Sequence, residues 1–250
     1  MSSILELKDV SVSFNGFKAV NGLDLSVNQG ELRCLIGPNG AGKTTALDLI
    51  CGKTRPGGGS IRFKDTEISR LADYQIARTG VGRKFQVPSV FRQLTVRENL
   101  EVGYCKRNGV LGNFLRPGRS SEADGLDKLA SFVGLSDQLD IPAAYLSHGQ
   151  TQWLEIALLL AQDAELILLD EPTAGMTEQE TQRTADICNR LKGKHTIIVV
   201  EHDMRFVKEI GDVISVMHQG KLLAEGTVTE IERDPKVRQV YLGSMGISSA

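Results

Sequence analysis

Residues 37–45 decide the fold, and they read Gly37-Pro38-Asn39-Gly40-Ala41-Gly42-Lys43-Thr44-Thr45. The apolar segment Leu32–Ile36 before them is typical of a buried strand, and Lys43–Cys51 has helical character. Glycines let a loop wrap tightly enough for successive backbone amides to point at one anion. The start of the following helix adds the positive end of its dipole. Strand, loop and helix together predict a phosphate-binding loop in an α/β fold.

The same stretch matches the pattern G-x-x-x-x-G-K-[ST], which binds the phosphates of nucleoside triphosphates. We expect Lys43 to reach the β- and γ-phosphates and the Thr44 hydroxyl to bind Mg²⁺. The alternative is a glycine-rich turn that caps a helix by chance. The strand before the loop and the helix after it favour the phosphate site.

Two adjacent carboxylates end a second apolar segment, Leu166-Ile167-Leu168-Leu169-Asp170-Glu171. The carboxyl ends of strands are where open α/β sheets bind ligands. We expect Asp170 to hold Mg²⁺, directly or through water, and Glu171 to polarise the water that attacks the γ-phosphate. A surface strand end with two acids is the alternative, and it is weak beside the phosphate-binding loop.

The composition is that of an ordinary globular chain, with 250 residues, 41% apolar residues and a formal net charge of -2. This charge does not indicate a polyanionic partner such as nucleic acid. We find no signal-peptide pattern at the N-terminus. The longest apolar segments are far shorter than the ~20 residues of a membrane span, so a role at a membrane would require docking onto another chain. Four scattered cysteines argue against a disulfide framework or a zinc site: Cys34, Cys51, Cys105 and Cys188.

Short strands flank a central region of different character. Strands and a closing hairpin are predicted at Leu5–Val12, Leu23–Val27, Leu166–Leu169, Thr196–Val200, Val213–Met217 and Lys221–Glu225. Residues 87–161 are mostly helix-compatible, apart from a predicted surface loop over Lys106–Gly125. Capping boxes predict helix starts at Thr95/Glu98, Ser147/Gln150 and Thr177/Glu180. We therefore expect an α/β core of residues 1–86 and 162–250 with an inserted helical subdomain, residues 87–161.

The segment Leu146-Ser147-His148-Gly149-Gln150 lies between the loop and the acidic pair. With it, the chain resembles the ATP-binding cassette (ABC) family across nearly its whole length, and the segment looks like the family signature LSGGQ with His148 at the first glycine. The resemblance implies a P-loop NTPase core with N-terminal antiparallel strands. It also implies ATP and Mg²⁺ as ligands, and a second cassette whose ATP is contacted by Ser147, Gly149 and Gln150. A plain capping box is the alternative for Ser147 and Gln150, and both interpretations are compatible.

Further positions are assigned by this resemblance alone. Gln86 lies where the family has a glutamine that contacts Mg²⁺ and water, and a solvated polar loop is the alternative. His202 follows the strand Thr196–Val200, as does the family's histidine that contacts the γ-phosphate. Phe14 is placed like the aromatic residue that stacks on adenine, although Phe17 is a rival and either could belong to the core.

The chain departs from the family pattern at two places. Besides His148, the family segment SALD is replaced by Thr173-Ala174-Gly175-Met176-Thr177, which lacks the acid. Neither change removes a catalytic group. The segments 94–100, 175–177 and 234–243 resemble branched-chain amino acid importer subunits, and among these the urea-importer subunits.

The resemblance implies an ATP-hydrolysing subunit of an importer, with Lys43, Glu171 and His202 as catalytic residues. The implied partners are a second cassette, transmembrane permease subunits and, indirectly, a solute-binding protein. The implied location is cytoplasmic and peripheral, on the inner face of the cell membrane. A soluble ABC ATPase or a non-transport regulator is the alternative, but the single cassette and the lack of sustained heptads disfavour the ribosomal and DNA-repair types. The transported solute and the choice between homodimer and heterodimer stay open.

Overall fold

The computed structural model describes residues 2–84, 90–104 and 119–244. The strands in chain order are β1 (Ser3–Phe14), β2 (Phe17–Asn28), β3 (Leu32–Ile36), β4 (Gly58–Phe63), β5 (Thr66–Glu67), β6 (Val81–Arg83), β7 (Leu166–Asp170), β8 (Thr196–Val200), β9 (Val213–His218) and β10 (Lys221–Gly226). The helices are α1 (Lys43–Ile50), α2 (Asp73–Arg78), α3 (96–104), α4 (Arg119–Val133), α5 (His148–Ala161), α6 (Glu178–Leu191), α7 (Met204–Ile210), α8 (Val228–Arg233) and α9 (Pro235–Ser244).

The strands form two sheets. The first is antiparallel, with the order β2-β1-β4-β5, and the second has the order β10-β9-β3-β8-β7-β6. In the second sheet β9, β3, β8, β7 and β6 are parallel, and only β10 pairs antiparallel. The predicted α/β class with N-terminal antiparallel strands is therefore confirmed.

Two tight hairpins follow from their turn residues. Asn15 and Gly16 join β1 to β2 with φ values of 50° and 86°, and Gln219 and Gly220 join β9 to β10 with 49° and 76°. Positive φ at both central residues is the geometry that matches the twist of paired strands. The predicted closing hairpin is thus present as β9 and β10. Strands β1 and β2 are longer than predicted because their pairing continues to the turn itself, where Phe14 faces Phe17.

The core lies on both faces of the second sheet. Residues of one strand alternate between the faces, as the period of a strand requires. In β8, for example, Ile198 and Val200 pack toward the first sheet and α1, whereas Ile197 and Val199 pack on the opposite face with residues of α5, α6 and α7. The group of buried residues that contains Ile197 and Val199 also includes Val96, Leu100 and Leu154 from the central region of the chain. The boundaries of the helical subdomain, residues 87–161, stay a prediction.

The predicted surface loop over Lys106–Gly125 is wrong in its last part. Residues 119–125 begin α4, and residues 105–118 lie outside the described residues. Leu126, Ala130 and Val133 follow with helical spacing and are buried against α5, so packing outweighs the helix-weakening effect of Gly125. Residues 119–125 are small or polar, a composition that favours a surface loop when it is considered without the packing of the later residues of α4.

The three predicted capping boxes are present. In each, the N-cap hydroxyl lies near the N3 amide and the N3 side chain accepts from the N-cap amide, which satisfies amides that a helix start leaves open. Within the described part of the chain, no helix is both long enough and apolar enough to cross a membrane.

Candidate nucleotide-binding site

The order of the strands brings the predicted site residues together. In the second sheet β8 lies between β3 and β7, and the three strands are parallel. Their carboxyl ends therefore share one edge of the sheet. The loop of residues 37–42 follows β3, and His202 comes shortly after β8. Asp170 is the last residue of β7, and Glu171 follows it directly.

The loop after β3 requires glycine at two of its positions. Gly42 is the N-cap of α1 with a φ of 100°, and a Cβ atom there would lie 2.4 Å from the carbonyl oxygen of Ala19. A Cβ atom on Gly37 would lie 2.2 Å from the carbonyl oxygen of Met217. Backbone approach this close excludes any side chain. The tip of the loop, Asn39 and Gly40, is exposed to solvent.

Lys43 folds back over this loop. Its ammonium group donates to the carbonyl oxygens of Gly37 at 2.8 Å and Pro38 at 3.1 Å. Partial burial lowers the pKa of Lys43, and the carboxylates of Glu171 and Asp170 oppose this effect. The Lys43 ammonium group is thus held at the loop by two neutral carbonyl oxygens. A bound phosphate would offer it charged oxygens, which form stronger hydrogen bonds.

The oxygen atoms of Thr44 and Asp170 are close to each other. Thr44 Oγ1 lies 3.4 Å from Asp170 Oδ1, and Asp170 is buried. In the described residues no group of three or more His, Cys, Asp or Glu side chains is placed to hold a metal ion. One carboxylate and one hydroxyl fit Mg²⁺, which binds few protein oxygens and completes its shell with phosphates and water.

Arg83 is a buried member of this site that no sequence motif indicated. It lies at the end of β6, donates to Asp170 Oδ2 at 3.2 Å and also pairs with Asp48 of α1. It contacts Cys51 Sγ at 3.3 Å as well. Arg83 therefore joins the helix of the phosphate-binding loop to the strand that carries Asp170, and its charge balances two carboxylates.

Glu171 has an unusual backbone conformation. Its φ of 46° is in the left-handed region, which is uncommon for residues other than glycine. Its amide donates to the carbonyl oxygen of Val200 at 2.9 Å, which fixes the turn beside β8. The side chain is partly exposed, and His202 Nδ1 lies 3.9 Å from its Oε1 atom. Strain of this kind is concentrated at functional sites.

Glu201 is a second buried residue that no motif indicated. One of its carboxylate oxygens accepts from the amide of Thr173 at 3.1 Å and from its hydroxyl at 2.6 Å. The other accepts from the amide of His202 at 3.0 Å. Glu201 is only 1% exposed, so the loops after β7 and β8 meet at a carboxylate that water does not reach.

The signature segment begins α5 and contacts the segment after Glu171. Ser147 is the N-cap of α5, and Gln150 completes the box with both reciprocal bonds. Ser147 is exposed, and its hydroxyl also donates to Glu180 at 2.9 Å. His148 Nε2 lies 3.0 Å from the carbonyl oxygen of Ala174, so the histidine that departs from the family pattern joins the two departing segments.

The aromatic residues at the hairpin tip are not part of the core. Phe14 is 48% and Phe17 is 66% exposed, so the alternative that either belongs to the core is wrong. The hairpin reaches the phosphate-binding loop through Ala19, which approaches Gly42. Stacking on adenine stays a prediction for both rings. Gln86 lies outside the described residues, and its role stays a prediction as well.

Residues 20–174 match the family model described as ABC transporter. The chain belongs to the ABC transporter family. It is an ATP-binding cassette with ATPase activity, as its sequence motifs predict. A model described as branched-chain amino acid ATP-binding cassette transporter matches residues 221–246 of this cassette.

Individual relatives cover nearly the whole cassette. It is 37% identical to the high-affinity branched-chain amino acid transport ATP-binding protein LivG of Salmonella typhimurium, over 96% of this chain and 98% of that protein. It is 38% identical to the corresponding protein BraF of Pseudomonas aeruginosa over the same shares. The ADP conformation of MJ1267, an ATP-binding cassette of an ABC transporter, superposes with a TM-score of 0.85 at 30% identity, covering 97% of this chain and 100% of that one.

Proposed function

We propose that this cassette hydrolyses ATP to drive a branched-chain amino acid importer through partner permease subunits. The names of the LivG and BraF relatives and the family match over residues 221–246 support this solute class. Urea remains a prediction from short segments, and none of these names supports it. The membrane partners would hold the cassette at the inner face of the cell membrane, and a solute-binding protein would act through them.

One observation carries the catalytic part of this proposal, namely that four polar side chains meet at one edge of the second sheet. Lys43 and Thr44 come from the start of α1, and Asp170 and Glu171 from the end of β7. These are the groups that phosphoryl transfer to water needs, because its catalysis consists mainly of positioning and of neutralising charge.

Each residue then has a role that its position allows. Lys43 exchanges the carbonyl oxygens of Gly37 and Pro38 for the β- and γ-phosphates, and the loop amides bind the remaining phosphate oxygens. Thr44 and Asp170 would hold Mg²⁺, which would supply positive charge to the phosphates. Gln86 is assigned to the same ion by resemblance.

The residues that follow β7 and β8 are assigned to positioning the attacking water and the γ-phosphate. Glu171 accepts its proton or orients it as a general base, and its strained, partly exposed position suits this role. His202, with its imidazole 3.9 Å from the Glu171 carboxylate, contacts the γ-phosphate. Phe14, with Phe17 as the rival, stacks on the adenine ring.

We assign the signature segment to the ATP of a second cassette. Ser147 is exposed at the N-terminus of the 14-residue helix α5, with Gly149 and Gln150 in its first turn. A helix start of this kind attracts a phosphate. Since residues 37–45 already provide one phosphate site, a second site in the same chain supports two cassettes arranged head to tail, either identical or related.

The test is a pair of variants in the transporter purified through a tagged copy of this chain. Lys43→Ala should abolish ATP binding, whereas Glu171→Gln should keep it and lower turnover by at least about 100-fold, because the general base is lost. Glu178→Gln is the matched control, since this exposed glutamate lies seven residues further along the chain in the first turn of α6. Unchanged turnover in Glu171→Gln would refute the assignment, and co-purification of ribosomes instead of permeases would refute the transport role.

A further inference from the structure

The carboxylate of Glu180 lies at the start of the signature helix α5. Its Oε1 atom accepts from the Ser147 hydroxyl at 2.9 Å. A Cβ atom on Gly149 would lie only 2.5 Å from the same oxygen. A negatively charged oxygen therefore already occupies the place where the positive end of this helix would attract an anion.

The same carboxylate also closes the start of α6. Its Oε2 atom accepts from the amide and the hydroxyl of Thr177, both at 3.0 Å. Glu180 thus joins the first turns of two helices, one with each oxygen. These hydrogen bonds, the one from the Thr177 backbone first and that from Ser147 second, lower the pKa of Glu180, so it is charged at neutral pH.

Another capping box, formed by Thr227 and Glu230, shows what is particular to Glu180. Glu230 accepts from the amide and the hydroxyl of Thr227 at 2.8 and 2.9 Å and caps α8 in the same way. The pKa of Glu230 is lowered by its bond from the Thr227 backbone as well. The difference is the Oε1 atom of Glu180, which accepts from the Ser147 hydroxyl and lies close to Gly149. Capping alone does not need that contact.

We propose that Glu180 competes with the γ-phosphate of the partner cassette's ATP for Ser147 and the start of α5. This inference rests on the proposed pairing of two cassettes. For the phosphate to take the Ser147 hydroxyl, that hydroxyl has to leave Glu180, and the phosphate then lies near a carboxylate of like charge. Glu180 therefore raises the ATP concentration at which two cassettes close, and it favours their separation.

Glu180→Gln isolates this effect because it removes the charge and keeps the cap. Glutamine is the other residue that completes a capping box, and the chain uses it at Gln150. At a few ångströms, removing one like charge in water-accessible surroundings is worth a factor of about five in an equilibrium constant. We expect the KM for ATP to fall about five-fold in the purified transporter, with a smaller change in kcat.

The matched control is Glu230→Gln, which makes the same chemical change in a box that lies on a different helix. Its KM should equal that of the wild type. The difference between Glu180→Gln and the wild type should shrink toward zero at about 1 M salt, where the screening length is about 3 Å. A purely structural role would not follow ionic strength in this way.

The outcomes separate the two proposals. An unchanged or higher KM in Glu180→Gln, a shift equal to that of Glu230→Gln, or a shift that persists in high salt would overturn the competition by Glu180. If Lys43→Ala hydrolyses ATP as fast as the wild type, the proposed function itself fails. The inference about Glu180 then falls with it.

Discussion

The buried position of Arg83 leads to a quantitative prediction. Its side chain is 3% exposed and balances Asp170, which is 1% exposed, together with Asp48 at 18%. Replacing it by methionine keeps most of the volume and leaves Asp170 as a buried charge without its guanidinium. Removing one partner of a buried pair costs about 3–5 kcal/mol. For a chain of this size, that lowers the midpoint of thermal unfolding by about 6–20 °C.

The assay compares Arg83→Met with Arg97→Met by thermal unfolding of the nucleotide-free protein. Arg97 also pairs with two carboxylates, Asp127 and Asp140, but it is 34% exposed and its partners are 56% and 87% exposed. Exposed pairs contribute about 0–1 kcal/mol, so this control should shift the midpoint by less than about 4 °C.

A second replacement tests the cause of the loss. Asp170→Asn in the Arg83→Met background removes the uncompensated charge, and it should recover part of the lost stability, which a double-mutant cycle measures. The reasoning is refuted if Arg83→Met unfolds within 2 °C of Arg97→Met, a margin of about 1 kcal/mol or less. It is also refuted if the second change adds to the damage, because packing and not charge would then be the cause.

Two further predictions concern the phosphate-binding loop. Gly42→Ala should lower the free energy of unfolding in urea more than Gly40→Ala does. Both sites have positive φ, which costs about 1–2 kcal/mol for a residue with a side chain. Only at Gly42 would the new Cβ atom meet backbone, 2.4 Å from the carbonyl oxygen of Ala19. Equal losses would contradict the close approach. Because burial lowers the pKa of Lys43 and bound phosphate would raise it, ATP binding in the alkaline range below the ordinary pKa of lysine should take up protons. Calorimetry in two buffers of different ionisation enthalpy should show this proton uptake. Lys43→Arg should lack it, because arginine stays charged. Release of protons by the wild type would refute the prediction.

The parts of the fold that sequence could predict are those set by local patterns. The loop of residues 37–45, the strand before it and the capping boxes each depend on neighbours within a few positions, so a short stretch is sufficient to recognise them. The proximity of Lys43, Thr44, Asp170 and Glu171 is predicted in this way, since strand ends in a parallel sheet share one edge, and their catalytic and binding roles stay predictions.

The parts that sequence could not predict depend on distant neighbours. Arg83 lies 87 positions from Asp170, and Ser147 lies 33 positions from Glu180. A buried charge such as that of Arg83 cannot be told from an ordinary polar surface residue until the sheet order places it. The start of α4 is not predictable from its own polar residues, because the residues that pack this helix against α5 come later, at Leu126, Ala130 and Val133.

The position of Glu201 has a consequence for motion. Since one inaccessible carboxylate holds Thr173 with one oxygen and His202 with the other, neither loop is free to shift without straining the other. A displacement of the loop after β8 would therefore move the segment after β7 as well, because a single side chain connects them. We expect the two loops to move together. The residue that couples them, Glu201, has no contact with the nucleotide in the roles assigned above.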